Sequence, residues 1–250
     1  HLASSTYQGQ GPDEITIIGH VGIDETNRRF FVSDHGKLKI FAYDLDSVLT
    51  TPEYQPSVKI DMKKKLFPDD YLYLNDTLCI AKIIEPIGNN DYKPSVARWN
   101  MATEEINPMP YEYPDLKKVR FIYAASAEHQ LYVQCYTQYD LMTICDFNGN
   151  LKCNIYGPKW VNEKTQTQHY SLGVEFCGDK ILALYSGGDH RTDAYYPTKF
   201  LVFDLNGNYL KTLETGYMIT DFCYDKENNR LIINLNDEIQ FAYLDLEGII

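Results

Sequence analysis

Along most of the chain, β-branched and aromatic residues alternate with polar ones, and the i, i+3, i+4, i+7 spacing of amphipathic helices is missing. A period of two marks half-buried strands. The C-terminal fifth divides most clearly. Residues 219–224 and 230–235 read as two strands around a polar turn at 225–229, and residues 239–244 read as a third. Elsewhere, Asn148-Gly149 and Asn206-Gly207 interrupt two strand pairs. Asn-Gly between alternating strands predicts a two-residue hairpin with both central residues at positive φ.

The pattern recurs. Asp24-Glu25-Thr26-Asn27-Arg28-Arg29-Phe30 answers to Asp225-Lys226-Glu227-Asn228-Asn229-Arg230-Leu231, and Phe41-Ala42-Tyr43-Asp44 answers to Ala242-Tyr243-Leu244-Asp245 in the same register, 201 residues on. Trp99-Asn100, Cys145-Asp146 and Phe203-Asp204 repeat the second motif, an apolar strand running into an Asx residue and a turn. The Asx positions 44, 100, 146, 204 and 245 lie 56, 46, 58 and 41 residues apart, so five copies of a roughly 50-residue unit fill the chain. Repeats of this length built from four short strands are the mark of a propeller.

The expectation is therefore an all-β fold, a β-propeller of four-stranded antiparallel blades, with five repeats visible and hence five or six blades. Residues 1–250 form one domain. The last copy stops after its third strand, and residues 2–7 are placed to supply the fourth and close the ring.

Composition agrees with this. Twenty-one Tyr and 11 Phe suit pleated surfaces. No apolar run reaches the length of a membrane-spanning helix. A net charge of −12 argues against a nucleic-acid partner, which would need phosphates neutralised by Lys and Arg. The single basic run, residues 63–65, reads as a solvated loop. Six cysteines without CxxC spacing sit in apolar runs and read as buried free thiols rather than disulfides or metal ligands.

The segment Gly9-Gln10-Gly11-Pro12-Asp13-Glu14, followed by an Ile/Val-rich strand and by Phe31-Val32-Ser33-Asp34 and Lys39-Ile40-Phe41-Ala42-Tyr43-Asp44, resembles the exported six-bladed TolB-like propellers of gut Gram-negative anaerobes. The resemblance runs weakly over the whole chain, and only the Gly-x-Gly-Pro-x-Glu segment is distinctive. It implies a periplasmic or cell-surface protein, often held by an N-terminal lipid anchor that lies outside this chain, and it implies no assigned reaction.

Function in propellers gathers in long connections on a rigid scaffold. Two connections between second and third strands are longer than a hairpin needs, residues 85–94 and 186–198. The latter carries Asp189, His190, Arg191, Asp193, Tyr195 and Tyr196 behind a Ser-Gly-Gly hinge, a mixture that can stack on and hydrogen-bond a sugar or peptide; the alternative is a solvated, self-neutralised loop. Trp160 lies between two repeats and serves either as a binding anchor or as packing between blades, whereas Trp99 lies inside a strand. Tyr111 and Tyr113 add aromatic groups to the preceding connection.

Catalytic patterns are sparse. The sequence has no Gly-x-Ser-x-Gly elbow, HExxH pair, P-loop or dinucleotide glycine motif, and its six histidines are scattered. No cofactor or metal is expected. The reading is a non-enzymatic binding module for a carbohydrate or protein partner. The alternative is a glycoside hydrolase-like propeller using paired channel carboxylates, with Asp13, Glu14, Asp189 and Asp193 as candidates.

Overall fold

The computed structural model describes residues 8–12, 14–51, 54–88, 91–192 and 195–250. The fold is an all-β propeller of antiparallel blades, and it divides by its contacts into two compact units, His1–Met109 and Pro110–Ile250.

The first unit holds two blades. Blade 1 is β1 (Ile18–Asp24), β2 (Arg29–Asp34), β3 (Lys39–Asp44) and β4 (Ser57–Asp61), with a short helix α1 (Leu45–Thr50) between the last two. Blade 2 is β5 (Phe67–Asn75), β6 (Leu78–Gly88), β7 (Asp91–Asn100) and β8 (Glu105–Pro108). Phe31 and Ile40 pack against Tyr71, Cys79, Ala81 and Trp99, so alternate residues of the two blades share one core. Trp99 is 2% exposed, as its strand position implies.

The second unit holds three. Blade 3 is β9 (Phe121–Ser126), β10 (Leu131–Tyr136), β11 (Leu141–Asp146) and β12 (Leu151–Tyr156). Blade 4 is β13 (Thr167–Cys177), β14 (Lys180–Asp189), β15 (Lys199–Asp204) and β16 (Tyr209–Glu214). Among the described residues blade 5 has three strands, β17 (Ile219–Asp225), β18 (Arg230–Leu235) and β19 (Phe241–Asp245). The closing strand expected at residues 2–7 lies outside the described residues.

The repeated Asx residue ends the third strand of every blade, and its side chain accepts backbone N–H groups of the turn that follows. Asp44 takes Ser47 N, Asn100 takes Ala102 N and Thr103 N, and Asp245 takes Glu247 N. Asp146 takes Asn148 N and Asn150 N, and Asp204 takes Asn206 N and Asn208 N. These last two turns differ from the two-residue hairpins expected. Gly149 N and Gly207 N donate to the carbonyls of Asp146 and Asp204, and only the glycines are left-handed, at φ +78° and +85°. An extra residue on the returning strand forms a bulge, so Cys145 pairs with Leu151 and Cys153 with Ile144. All six cysteines are free; Cys153 is half-buried and Cys223 is exposed, whereas all were expected inside.

The 201-residue echo is equally local. Asp24 holds Asn27 and Arg29, and Asp225 holds Asn228 and Arg230, each pair bonded to the carboxylate that opens the first turn of its blade.

The Gly-x-Gly-Pro-x-Glu segment is a clasp. Glu14 turns back to accept Gly11 N at 2.6 Å, and the Lys37 ammonium bonds the carbonyls of Gly11 and Glu14. Below it, the fully buried Asp34 accepts four backbone N–H groups, from Thr16, Ile17, Gly36 and Lys37, at 2.8–3.1 Å. Burial pushes the Asp34 carboxyl up, but the four donors outweigh it and hold the group below the usual carboxylate range. Its contribution to stability is therefore complete above the ordinary carboxylate value and is lost as pH falls through that value toward the depressed one. Asp34→Asn should cost about 2–4 kcal/mol, because the amide nitrogen would face a backbone donor in place of a carboxylate oxygen. A lowered urea midpoint by circular dichroism at pH 7 checks this; an unchanged midpoint contradicts it.

Candidate functional site

The connection from β12 to β13 is shaped by a buried carboxylate. Gly157 N donates to the Asp140 carbonyl at 2.8 Å, and Lys159 N donates to Asp140 Oδ2 at 2.9 Å. A side chain at 157 would stand about 2.2 Å from the carboxylate, so only glycine lets the chain pass this close. Trp160 N closes the turn on the Gly157 carbonyl.

This turn sets the half-buried Trp160 among three tyrosines. Its ring centroid lies 5.1 Å from Tyr156, 5.8 Å from Tyr113 and 6.4 Å from Tyr139, with the first two contacts edge-on. The hydroxyls of Tyr113 and Tyr156 meet at 3.2 Å. That bond, with some burial, pushes the Tyr113 phenol up to about 12. The segment that carries Tyr113 is pinned at both sides. Tyr139 donates its hydroxyl to Lys117 O and accepts Lys117 N, while Asn154 Nδ2 donates to the Tyr111 hydroxyl and accepts from Thr143 on its oxygen. The structure thus brings Trp160 and Tyr113 together, with Tyr111, on the same connection as Tyr113, bonded to Asn154 of blade 3.

The loop of blade 4 is arranged differently. Residues 186–188, expected as a hinge, continue β14 together with Asp189, with Gly188 opposite Gln168 and Asp189 opposite Thr167. Beyond them the exposed Asp189 accepts Arg191 N at 2.9 Å, and His190 Nδ1 lies 2.8 Å from the Gln166 carbonyl. The rings of Tyr195 and Tyr196 lie 4.2 Å apart, and Asp193 falls outside the described residues. Lys159 Nζ donates to Gly187 O at 3.4 Å and His190 N donates to Gln166 O at 3.2 Å, so the Trp160 connection is tied to this loop from both ends. The other long connection is also regular: β6 and β7 pair out to Gly88 and Asp91, extending the blade 2 hairpin. Of the carboxylates considered for glycoside cleavage, Glu14 is bonded to Gly11 N and Asp189 to Arg191 N, and Asp13 lies outside the described residues. Among the described residues, no group of three His, Cys, Asp or Glu side chains is placed to hold a metal ion.

Sequence reasoning passed over a buried polar group beneath the Trp160 turn. Asp140 and His169 are each 1% exposed. Tyr185 donates its hydroxyl to Asp140 Oδ1 at 3.3 Å, and His169 Nδ1 lies 3.3 Å from that hydroxyl and 3.7 Å from the carboxylate. On its other side, His169 Nε2 approaches Thr165 Oγ1 at 3.4 Å. The signal was faint: an Asp and a His at strand ends, 29 residues apart, each beside a Tyr.

Burial lowers the His169 imidazole below its ordinary value, the nearby Lys159 charge adds to this, and Asp140 opposes both. The unfolded chain therefore takes up the proton first. Stability is full above the ordinary imidazole value, about 6.5, and falls by up to about 1.4 kcal/mol per pH unit as pH drops from there to the depressed value. His169→Gln should flatten the dependence of the melting midpoint between pH 7.5 and 5.5; an identical slope in both proteins contradicts the assignment.

Comparison with known proteins is consistent with this architecture. A family model described as DUF5128, 6-bladed beta-propeller, matches residues 6–77, which hold the Asp34 clasp, blade 1 and the start of blade 2. No curated protein matches the chain. Among solved structures, the chain is similar to a member of the duf4221 family from Bacteroides vulgatus, at 12% identity and a TM-score of 0.62, over 94% of this chain and 79% of that one. It is similar to the extracellular domain of BT4673 from B. thetaiotaomicron, at 10% identity and a TM-score of 0.59 over 97% of this chain, and it spans only 29% of that protein's chain. It is also similar to a chain of the nidogen/laminin complex, at 12% identity and a TM-score of 0.57, over 92% of this chain and 76% of that one. At these identities the likeness is one of fold. Among the described residues, no helix is long and apolar enough to cross a membrane.

Proposed function

We propose that residues 1–250 act as one non-enzymatic binding propeller, exported to the periplasm or cell surface, whose partner is a glycan, a peptide or another protein. The observation that carries this reading is the Tyr113–Tyr156–Trp160 cluster. Three aromatic rings, one of them a Tyr156 that ends β12 and is 50% exposed, stand at the surface on segments held by part-buried hydrogen bonds. Large rings with few rotatable bonds give much contact area for little ordering entropy, which is why Trp and Tyr dominate the energetics of binding surfaces. The polar groups of Asp189, His190 and Arg191 supply hydrogen bonds on the neighbouring loop, joined to the Trp160 turn through Lys159 and Gly187. Export is supported by the resemblance of the N-terminal segment to exported six-bladed propellers and by the fold likeness to an extracellular domain. A protein partner is supported by the likeness to a chain crystallised in a protein complex.

The test is a titration of the purified chain with a panel of glycans and peptides, read by tryptophan fluorescence. Trp99 is buried, so a ligand-dependent shift reports Trp160. Saturable binding is expected, weakened tenfold or more, about 1.4 kcal/mol, by Trp160→Ala and by Tyr113→Leu, and less by Asp189→Ala. Binding indifferent to all three variants, or cleavage of any glycan in the panel, overturns the proposal.

A further inference from the structure

A second candidate site lies between blades 3 and 4, beside the Trp160 cluster, with which it shares only Tyr156. A cavity of about 370 Å³ opens between the end of β12 and the faces of β15 and β16. This is within the size range of small-molecule sites, roughly 300–1,000 Å³. Tyrosine dominates its walls: Tyr156, Tyr170, Tyr185 and Tyr209, with Asp140 at the base and Lys199 on the side.

Charge selects the occupant. Lys199 opens β15, opposite Tyr185 on one neighbouring strand and Glu214 on the other. Its ammonium rests 5.7 Å above the Tyr185 ring, and no carboxylate among the described residues lies within ion-pairing distance of it. In a chain with 35 acidic and 23 basic residues, a cation left without an acidic partner and facing a cavity favours an anion there. A cationic ligand would meet Lys199 already seated on the aromatic face. The Asp140 carboxylate is itself occupied, by Lys159 N on one oxygen and by the Tyr185 hydroxyl on the other.

Shape narrows the choice further. Tyr156 and Tyr209 are 50% and 56% exposed at the rim and offer flat faces to the C–H side of a pyranose ring. The Tyr209 hydroxyl and Thr212 Oγ1 are paired at 2.8 Å, a donor and acceptor set for ring hydroxyls. We propose that this pocket binds a carboxylated pyranose, a hexuronic acid residue of an acidic glycan, with the carboxylate on Lys199 and the ring against Tyr209.

Isothermal titration of the whole chain with methyl glucuronide, methyl galacturonide and methyl glucoside, each to about 10 mM, tests this. The uronides should bind saturably and the uncharged glucoside at least tenfold more weakly, and added salt should weaken the uronides alone. Lys199→Met and Tyr209→Ala should each lower uronide affinity tenfold or more, while Lys199→Arg, which keeps the charge, retains it. Unchanged melting midpoints show that the variants fold. Equal binding of uronide and glucoside, no binding of either, or uronide affinity indifferent to Lys199→Met overturns the proposal. Trp160→Ala should leave uronide binding intact. Uronide binding lost in Trp160→Ala but kept in Lys199→Met would place the sugar on the aromatic cluster, overturning this pocket and supporting the other site.

Discussion

The capture of backbone N–H groups by a carboxylate or amide at a strand end is the interaction on which the described structure depends. A meander blade must reverse its chain after every strand, and each reversal exposes donors that the sheet no longer pairs. Here the third strand of every blade ends in Asp or Asn, and that side chain takes one or two of the freed donors. Asp34 takes four and is fully buried in doing so. These carboxylates are therefore structural, committed to turns, and need not signal acid–base chemistry.

The same device builds the binding surface. Asp140 holds the Gly157–Lys159 turn through its carboxylate and carbonyl, and that turn fixes where Trp160 points. Because Asp140 is buried, its desolvation is tolerable only while the donors of Lys159 and Tyr185 remain in place, which couples the surface turn to the interior of blades 3 and 4. Neutral His169 suits this arrangement, since a second full charge at that depth would have to be solvated by the same few groups. The aromatic cluster is thereby held by the core beneath it, and little ordering cost remains for a ligand to meet.

The fold was legible because its determinants are local and repeated. Asx44 to Asx245 marked the end of the third strand in all five blades, and the Asp24 and Asp225 motifs mapped onto two identical carboxylate-held turns. What escaped were details set by the partner strand. Asn-Gly at 148 and 206 read as a two-residue turn, yet the preceding Asp captures the Asn N–H and shifts the left-handed position to glycine alone. Residues 85–94 and 186–198 read as loops because their composition is irregular, yet residues 85–88, 91–94 and 186–189 are strand, paired across a register that a single sequence does not reveal. The site was half legible for the same reason. Trp160 and Tyr113 could be named as candidate binding aromatics, but 47 residues separate them, and nothing in either segment says that they meet. Asp140 and His169 left only a faint trace because a buried polar pair joined across strands has no periodicity.

Lys199 shows how a ligand preference can arise from the fold without any motif. A lysine at the start of a strand next to an acidic cross-strand neighbour would ordinarily pair with it, and Glu214 is in register to do so. The ammonium instead lies over Tyr185, whose hydroxyl is drawn inward to Asp140, so the ring presents its electron-rich face toward β15. Cation–π attraction of this kind is worth about 0.5–2 kcal/mol, comparable to or larger than an exposed ion pair. The buried Asp140 thus acts twice, through the backbone to set Trp160 and through Tyr185 to set Lys199, so the aromatic cluster and the pocket share one support and one rim residue, Tyr156, and are told apart by Trp160 and Tyr113 on one side and Lys199 and Tyr209 on the other.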